Sequence, residues 1–588
     1  MSLAVVGVAI VTAVGKVKTW IVTAFDKAKE WVVAIVIAAA VAAVGKAKGW
    51  VFAAVGKATG WVFAAVGKAK GWVFAAVGKA KGWVFAAVGK AKKWVVATIG
   101  KAKESARQYK GGLYVFLTCI VVIVDGLLFG YNIGISGGVT TMNGFLQWFF
   151  PTVFEKIRQR LESNYCKYNN QGLIAFNSSS YLGALVASLV ASLVTKKYGR
   201  RVTIICAGLN LLVGAVLNIA FTYLFILFLG RIMLGFGTGF EEQAVPLYLS
   251  EMAPVHLKGI IGSIFKLAIK LGTFIANVVN YRTKRLDYSG WRISIGLTGV
   301  LALFVTMGAI LLPETPKGLI EQGKREKGKI ILAKIRGTDD VNTEFEDMIH
   351  ASDLANSIEH PFRKMLERRN IPILVMAIFM PAFKILTGMS FILFYTPVFF
   401  QSIGFGENAS LYCSVVIVAV MVVSAFISIV TVDRLGRRVL LISGGIQMIL
   451  CQIIMAIILG LKFGDNQSLS KGYSALVVVV LCLFVLAFEW SWEPPSDKVL
   501  DEIFTPETEL AGKIIKVVVD FLFTFIIAQI SLSMLCSLKF GIFLFFAGCN
   551  IIMTLFVYML VPETKGVPIE ETTFLWKNHW LWKRIVPA

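Results

Sequence analysis

Long apolar runs dominate the chain from residue 113 onward. Each run has about 20 residues and ends in a short polar loop, which is the pattern of helices that cross a bilayer. The pattern predicts twelve spans, at residues 113–135, 172–195, 202–222, 224–248, 259–280, 292–312, 371–400, 408–430, 438–462, 474–495, 511–535 and 539–561. The longest polar interruption follows the sixth run. We therefore predict an all-α integral membrane protein with six-helix halves at 109–314 and 371–566, a helical linker at 315–370 and a tail at 567–588.

Residues 1–108 follow a different pattern, an eleven-residue repeat. The unit Gly-Trp-Val-Phe-Ala-Ala-Val-Gly-Lys-Ala-Lys begins at Gly60, Gly71 and Gly82. Tryptophan marks the period at Trp50, Trp61, Trp72, Trp83 and Trp94. Eleven residues close on three helical turns, so each repeat position keeps one stripe along a helix. The repeat predicts a long amphipathic helix at the amino terminus.

The side chains of the repeat indicate contact with lipid. Its Trp, Ala and Val positions form one arc of the helix, and its two Lys positions lie at the edges of that arc, where their stems reach headgroups. The junction Lys-Ala-Lys-Gly-Trp-Val resembles the lipid-binding repeats of synucleins and perilipin-type proteins. This resemblance implies association with an anionic phospholipid leaflet. A packed helical stalk is the alternative, and copies this faithful indicate recent duplication or deliberate construction.

Composition excludes several classes of protein. Of the 588 residues, 57% are hydrophobic and 16% are charged, and the mean hydropathy is +0.74, so most of the chain faces lipid. The formal charge of +24 therefore indicates phospholipid headgroups as the anionic partner, not nucleic acid. Eight scattered cysteines and four histidines give no metal-binding spacing. Since no P-loop or catalytic motif is present, we expect no enzyme activity, no metal and no cofactor.

Basic residues predict the orientation of the spans. The loops after spans two and eight carry Lys196, Lys197, Arg200 and Arg437, and the linker is rich in Lys and Arg. By the positive-inside rule these loops are cytoplasmic, which places both termini in the cytoplasm as well. The repeat then faces the anionic inner leaflet. We expect a multi-pass protein of the plasma membrane.

Several motifs carry a resemblance to one family. They are Tyr-Lys-Gly-Gly-Leu (109–113), Phe-Gly-Tyr-Asn-Ile-Gly-Ile-Ser-Gly-Gly-Val (129–139), Tyr-Gly-Arg-Arg (198–201), Gly-Arg-Ile-Met-Leu-Gly-Phe-Gly (230–237), Val-Pro-Leu-Tyr-Leu-Ser-Glu-Met-Ala-Pro (245–254), Pro-Glu-Thr-Pro (313–316), Thr-Gly-Met-Ser-Phe-Ile-Leu-Phe-Tyr-Thr-Pro-Val (387–398), Asp-Arg-Leu-Gly-Arg-Arg (433–438) and Pro-Glu-Thr-Lys-Gly (562–566). Residues 109–573 thereby resemble the sugar porter family of the major facilitator superfamily, especially plant-type hexose/proton symporters. The resemblance implies the major facilitator fold and sugar transport by alternating access.

The resemblance assigns two further sets of residues. In the family, charged residues tie the halves together on the cytoplasmic side in the outward-facing state. The matching residues here are Arg200, Arg201, Glu251, Glu314, Arg437, Arg438 and Glu563. A solvated cluster that only sets topology is the alternative. Cys166 and Cys536 match the two lid cysteines of the family, and the match implies a disulfide on the outer side.

The proton-coupling position departs from the symporters. The symporters of the family carry a proton on a carboxylate of the first span, which works against an arginine. The arginine matches Arg231, but the carboxylate corresponds here to Asn132. An amide does not titrate, so proton coupling through residue 132 is not expected. Facilitative glucose transporters also carry Asn there, which favours a uniporter. Asp125, on roughly the same helix face two turns earlier, is a candidate replacement carrier.

The sugar pocket departs further. Positions that hold neutral amides in the family correspond here to Lys266, Lys384, Ile385, Ser390, Met421, Lys513 and Lys516. A broken-helix gate matches Trp492 to Asp497, and the sugar-stacking Trp of that gate is replaced by Asp497. Lys270 lies four residues after Lys266, on the same helix face.

These charges leave three functions open. The first is a transporter of a hexose or another small polar solute. The second is a non-transporting scaffold whose cavity is sealed by Lys–Glu pairs, with membrane association through the repeat. The third is a carrier of a small anion, which requires that excess lysine stays hydrated in the cavity.

Overall fold

The computed structural model describes residues 112–159, 165–254, 258–286, 289–357, 360–431, 436–463, 469–566 and 572–586. The repeat and its marker residues Trp50, Trp61, Trp72, Trp83 and Trp94 lie outside these ranges. Within the ranges all regular secondary structure is helical. Twelve helical segments of this part of the chain are long and apolar enough to cross a membrane. The predicted all-α, twelve-span fold is confirmed.

Six long helices form the first half. They are α1 (Gly112–Val139), α4 (Gln171–Tyr198), α5 (Arg200–Ala220), α6 (Leu224–Met252), α7 (Lys258–Thr283) and α8 (Gly290–Leu311). The short helices α2 (Asn143–Phe149) and α3 (Pro151–Gln159) lie between α1 and α4, and a 3-10 turn at Lys284–Leu286 follows α7. The long helices agree with the predicted spans to within a few residues.

The predicted linker contains four short helices. They are α9 (Pro316–Glu321), α10 (Arg325–Arg336), α11 (Asn342–Ser357) and α12 (Pro361–Met365), with a 3-10 turn at Arg368–Asn370. A small apolar core of Ile320, Leu332, Val341 and Phe345 joins the first three. The linker, which lies between the two halves in sequence, is therefore folded and has a small core of its own.

The second half contains the remaining spans. Its helices are α13 (Ile371–Leu386), α14 (Met389–Ser402), α15 (Glu407–Thr431), α16 (Arg437–Lys462), α17 (Lys471–Ser491), α18 (Glu493–Ile503), α19 (Glu509–Leu538) and α20 (Gly541–Leu560). Helix α21 (Thr572–Asn578) and a 3-10 turn at Trp582–Arg584 follow.

Two spans of the second half are broken helices. Helices α13 and α14 meet at Gly388, whose φ of 91° lies in the left-handed region that glycine tolerates. Helix α17 ends at Ser491 and α18 begins at Glu493, with Pro494 and Pro495 in its first turn. Proline is tolerated there because the first N–H groups of a helix have no internal partner. The break that the two prolines predict is present, and the segment continues as a helix to Ile503.

Glycines allow α1 and α7 to approach closely. A Cβ added to Gly130 of α1 would lie 1.8 Å from the carbonyl oxygen of Ile269, and one added to Gly272 of α7 would lie 2.1 Å from that of Leu127. Membrane helices associate largely through such close backbone packing. Neither helix can carry a side chain at this crossing.

This crossing predicts different effects for two alanine substitutions on one helix. Gly272→Ala forces α1 and α7 apart, and we expect a loss of about 1–3 kcal/mol of unfolding free energy. Gly262→Ala is the matched control, because nothing lies within 4 Å of its added Cβ. We expect it to be neutral or to stabilise by up to about 1 kcal/mol through helix propensity. Unfolding in mixed detergent–SDS micelles measures both; equal effects would contradict the proposed crossing.

One set of contacts between the two halves lies on one side of the bundle. We call the side where α4 ends and α5 begins, next to Arg200, the basic face, and the other side the opposite face. Near the opposite face the Ser178 hydroxyl donates to Oε1 of Gln529 at 2.6 Å, and Lys284 pairs with Glu407 at 2.6 Å. Helix α4 packs on α19 and α7 packs on α15. These contacts join the halves at the opposite face.

Candidate functional site

Buried charges from both halves meet between them. The ammonium group of Lys270, on α7, lies 3.0 Å from a carboxylate oxygen of Glu489 and 2.9 Å from one of Glu493. Lys270 and Glu489 are buried, so neither charge is compensated by water. The two contacts link the first half to the broken span of the second half.

Asp497 is the centre of a second set of ion pairs. Its two carboxylate oxygens contact Lys266 of α7 and Lys516 of α19, each at 2.8 Å. The side chain of Lys266 is 44% exposed, against 13% for Asp497, so solvent screens this pair more than that of Lys270. Asp497, which stands at the position that matches the sugar-stacking Trp, thus pairs with two lysines.

One further lysine and two further carboxylates complete the arrangement. Lys384 of α13 has Asp520, Asp497, Glu493 and Glu242 as its charged neighbours. We call the whole set the cleft cluster: Lys266, Lys270, Lys384, Lys516, Glu242, Glu489, Glu493, Asp497 and Asp520. Carboxylates outnumber lysines in it, five to four, so the lysines do not create a positive cavity.

The other predicted cavity positions lie outside the cleft cluster. Lys513 pairs with Glu509 on its own helix. The indole N–H of Trp492 donates to the carbonyl oxygen of Leu441 at 2.9 Å, within the second half. The remaining positions are buried, namely Ile385, Ser390 and Met421. Ile385 and Met421 pack in an apolar core.

Asn132 and Arg231 are both buried, and their hydrogen bonds go to other residues. The amide of Asn132 donates to the Thr238 hydroxyl at 3.0 Å. The guanidinium of Arg231 contacts the Ser136 hydroxyl and lies 4.6 Å from the ring centroid of Phe176. Ser136 is one turn beyond Asn132 on α1. In the described part of the chain, none of these contacts gives Arg231 a carboxylate partner.

Asp125 lies in α1 and faces Glu241 of α6, with the two carboxyl groups within hydrogen-bonding distance. Both are almost completely buried. The sequence marks Asp125 as a candidate but gives no partner for it. Two adjacent carboxylates in an apolar span, Glu241 and Glu242, were the sequence signal for such a partner. In the structure Glu241 faces Asp125, and Glu242 faces the cleft cluster.

The basic face carries an ion cluster in the first half. Arg200 pairs with Glu251 at 2.9 Å and also with Glu321. The backbone N–H groups of Arg200 and Arg201 donate to the carboxylate of Glu314 at 2.9 and 3.1 Å. Glu314 therefore occupies the start of α5, where a carboxylate also complements the helix dipole. Sequence reasoning missed Glu321.

The second half repeats this arrangement. Arg437 pairs with Glu502 at 2.8 Å, and the backbone N–H groups of Arg437 and Arg438 donate to Glu563 at 2.9 and 3.2 Å. Glu502 was not among the predicted residues. Each named contact joins residues of the same half or its linker. The named contacts of these charges therefore do not tie the two halves together, and the predicted tie stays a prediction.

A disulfide joins Cys166, before α4, to Cys536 in α19, with the Cα atoms 4.5 Å apart. It lies at the opposite face and links the two halves. This is the pairing that the family resemblance implied.

Comparisons with known proteins agree with this architecture. The family described as "Sugar (and other) transporter" matches residues 118–576. Sugar transport protein 7 of Arabidopsis thaliana is 59% identical over 486 residues, covering 82% of this chain and 95% of that protein. Sugar carrier protein A of Ricinus communis is 60% identical over 487 residues, covering 82% and 93%. The proton:xylose symporter XylE bound to 6-bromo-6-deoxy-D-glucose superposes with a TM-score of 0.65 at 22% identity, covering 79% of this chain and all of that one.

Twelve spans in two halves, with ionisable groups between them, form the major facilitator fold. The chain belongs to the sugar transporter family. Family membership confirms the expected transporter class and the expectation that the protein is not an enzyme.

Proposed function

We propose that the protein carries a hexose or another small polar solute across the membrane by alternating access, with the basic face in the cytoplasm and no proton coupling through residue 132. The observation that carries this proposal is the cleft cluster, in which ionisable side chains of both halves contact each other. The names of the relatives, sugar transport protein and sugar carrier protein, support a sugar as substrate.

The charges of the cleft cluster suit a neutral solute better than an anion. A sugar hydroxyl both donates and accepts hydrogen bonds, and the cluster offers lysine donors beside carboxylate acceptors. A small anion would need unpaired lysine, whereas Lys266, Lys270 and Lys516 each have a carboxylate within 3.0 Å. The ion pairs can exchange partners with hydroxyl groups without leaving a bare charge.

Uptake into proteoliposomes tests this proposal. Purified protein is reconstituted and offered several radiolabelled hexoses, with protein-free liposomes as control. Saturable uptake that is inhibited by the same unlabelled sugar is the expected result. Absence of saturable flux for every hexose would reject the proposal, and flux of a small anion alone would assign the third function.

A sealed scaffold is the second candidate, and the contacts of Lys270 favour it. This lysine links α7 to α17 and α18 through buried ion pairs, which hold the halves in one arrangement. Single cysteines placed beside the cluster and labelled from either side of the membrane distinguish the candidates. Labelling that alternates between the sides supports the transporter, and labelling from one side alone supports the scaffold.

Replacing Asn132 is expected to change the energy coupling. Asn132→Asp places a carboxylate one turn from Ser136, which contacts Arg231, so a titratable acid and a buried cation come within reach of each other. We expect the ratio of uptake with an inward proton gradient to uptake without one to rise several-fold over the unaltered protein. Asn210→Asp, on α5 away from Arg231, is the control. An unchanged ratio for Asn132→Asp would contradict the assignment of this position.

The repeat, whose structure is outside the described residues, is proposed to bind the anionic inner leaflet. Its period and its edge lysines support this role. A peptide of residues 1–108 should gain helicity with anionic vesicles and gain little with neutral ones, as measured by circular dichroism. Equal helicity in the absence of vesicles would instead favour a packed stalk.

A further inference from the structure

Two carboxyl groups inside the first half have no hydrogen-bond donor. Asp125 of α1 is 1% exposed and Glu241 of α6 is 2% exposed. All four of their carboxyl oxygens are buried and lack a partner in the described structure. The two groups lie within hydrogen-bonding distance of each other, and Glu242 is the next charged group beside them.

Few charged groups face this pair from α5 and α6. Glu242, also on α6, adds another carboxylate. Tyr248 of α6 directs its hydroxyl to the carbonyl oxygen of Pro313. Arg201 of α5 donates to the carbonyl oxygens of Ala309 and Ile310. Among the described residues, no cation contacts either carboxyl of the pair.

The other neighbouring helices present apolar surfaces. Helix α7 turns Phe265 and Ala268 toward α1, next to Gly126, while its two cleft lysines are paired with carboxylates of the second half. Helix α10 contributes Ile331 and Ile335 to the apolar core that also contains Phe265. Helix α8 contributes residues such as Val305. No positive charge on these elements compensates the pair.

Two ionised carboxylates cannot remain in contact in such an environment. Burial disfavours each charge, and repulsion between like charges adds to that cost. One proton placed between the carboxyls removes one charge and supplies the missing donor. The remaining negative charge is then shared across a charge-assisted hydrogen bond.

A cavity lies between Asp125 and the basic face. It contains about 290 Å³ of space outside the atoms, part of it open solvent. Its lining runs from Asp125 along Val121 and Val122 to Arg201, the second residue of α5, and to Leu312 just after α8. These last two residues mark helix ends at the basic face. Asp125, although not Glu241, therefore borders space that extends toward that face and away from the cleft cluster.

We propose that Asp125 and Glu241 form a proton-binding site that holds one shared proton at neutral pH and exchanges it with the basic face through this cavity. The site gives the first half a titratable group although residue 132 is an amide. Proton binding here is independent of solute transport, so it can be tested without a substrate.

Infrared difference spectroscopy of the purified, reconstituted protein tests the proposal. The unaltered protein should show a protonated-carboxyl band at neutral pH that disappears on titration to high pH and shifts in D2O. Asp125→Asn and Glu241→Gln should each remove this band, because the amide supplies the donor and leaves the partner ionised. Glu346→Gln, an exposed carboxyl on α11, should leave it unchanged.

Several outcomes would overturn the proposal. They are a band that persists in both amide variants, no such band in the unaltered protein, and a band that does not shift in D2O. If an amide variant fails to fold, Asp125→Ser and Glu241→Ala take its place, and the D2O shift of the unaltered protein remains a separate readout. Loss of transport with the band retained in the unaltered protein would reject the proposed function and leave the proton site standing.

Discussion

Lys270→Met is expected to destabilise the folded protein by about 3–5 kcal/mol, since it leaves Glu489 and Glu493 buried without a counter-charge. Methionine has a similar length and fills the space, so the loss reflects charge and not a cavity. Unfolding in mixed detergent–SDS micelles, followed by tryptophan fluorescence, measures the change. Since the pairs bridge the halves, the same variant is also expected to loosen their contact, which cysteine crosslinking between α7 and α18 detects.

Two further variants isolate the cause of this loss. Lys513→Met removes a lysine from an exposed pair with Glu509 on the same helix, and we expect a change below about 1 kcal/mol. Adding Glu489→Gln and Glu493→Gln to Lys270→Met removes the uncompensated charges and should restore most of the lost stability. If Lys270→Met and Lys513→Met have equal effects, the buried ion pairs of Lys270 do not contribute as proposed.

The sequence predicted the spans well because their signal is local. A run of apolar residues long enough to cross a bilayer needs no knowledge of its neighbours, and the proline pair at Pro494 and Pro495 marks a break by its own chemistry. The continuation of α18 to Ile503 was missed. Its polar, amphipathic sequence no longer reads as an apolar run, although the helix persists.

The site was predicted in part. Spacing of four residues places Lys266 and Lys270 on one face of α7. Spacing cannot say which face of another helix meets them, so the pairing of Lys266 with Asp497 appears only once the halves are packed. Lys513 shows the limit of such reasoning, because a position one turn before Lys516 pairs within its own helix.

For the basic-face clusters, the sequence predicted most of the residues but not which of them pair. Pairing of Arg200 with Glu251, and of Arg437 with Glu502, occurs inside each half and repeats from one half to the other. A charge cluster that closes within its own half is free to separate from the other half as a unit. The described contacts that do join the halves are those at the opposite face and the ion pairs of the cleft cluster.

Removal of the Cys166–Cys536 disulfide is expected to lower the unfolding free energy by about 2–4 kcal/mol. The bond closes a loop between residues 370 positions apart in sequence and joins the two halves at the opposite face, so it restricts the unfolded chain strongly. The double variant Cys166→Ser/Cys536→Ser, or a reducing agent, should produce the same loss in SDS unfolding.

The free cysteines provide the matched control for this prediction. Cys206, on α5, is not bonded, so Cys206→Ser should retain both the stability and the sensitivity to reductant of the unaltered protein. The double variant should lose that sensitivity, because nothing remains to be reduced. A reductant that destabilises the double variant as much as the unaltered protein would show that the effect has another origin. Since the bond lies at the opposite face and Lys270 lies near the middle of α7, with no partner in common, the two losses are expected to add when combined.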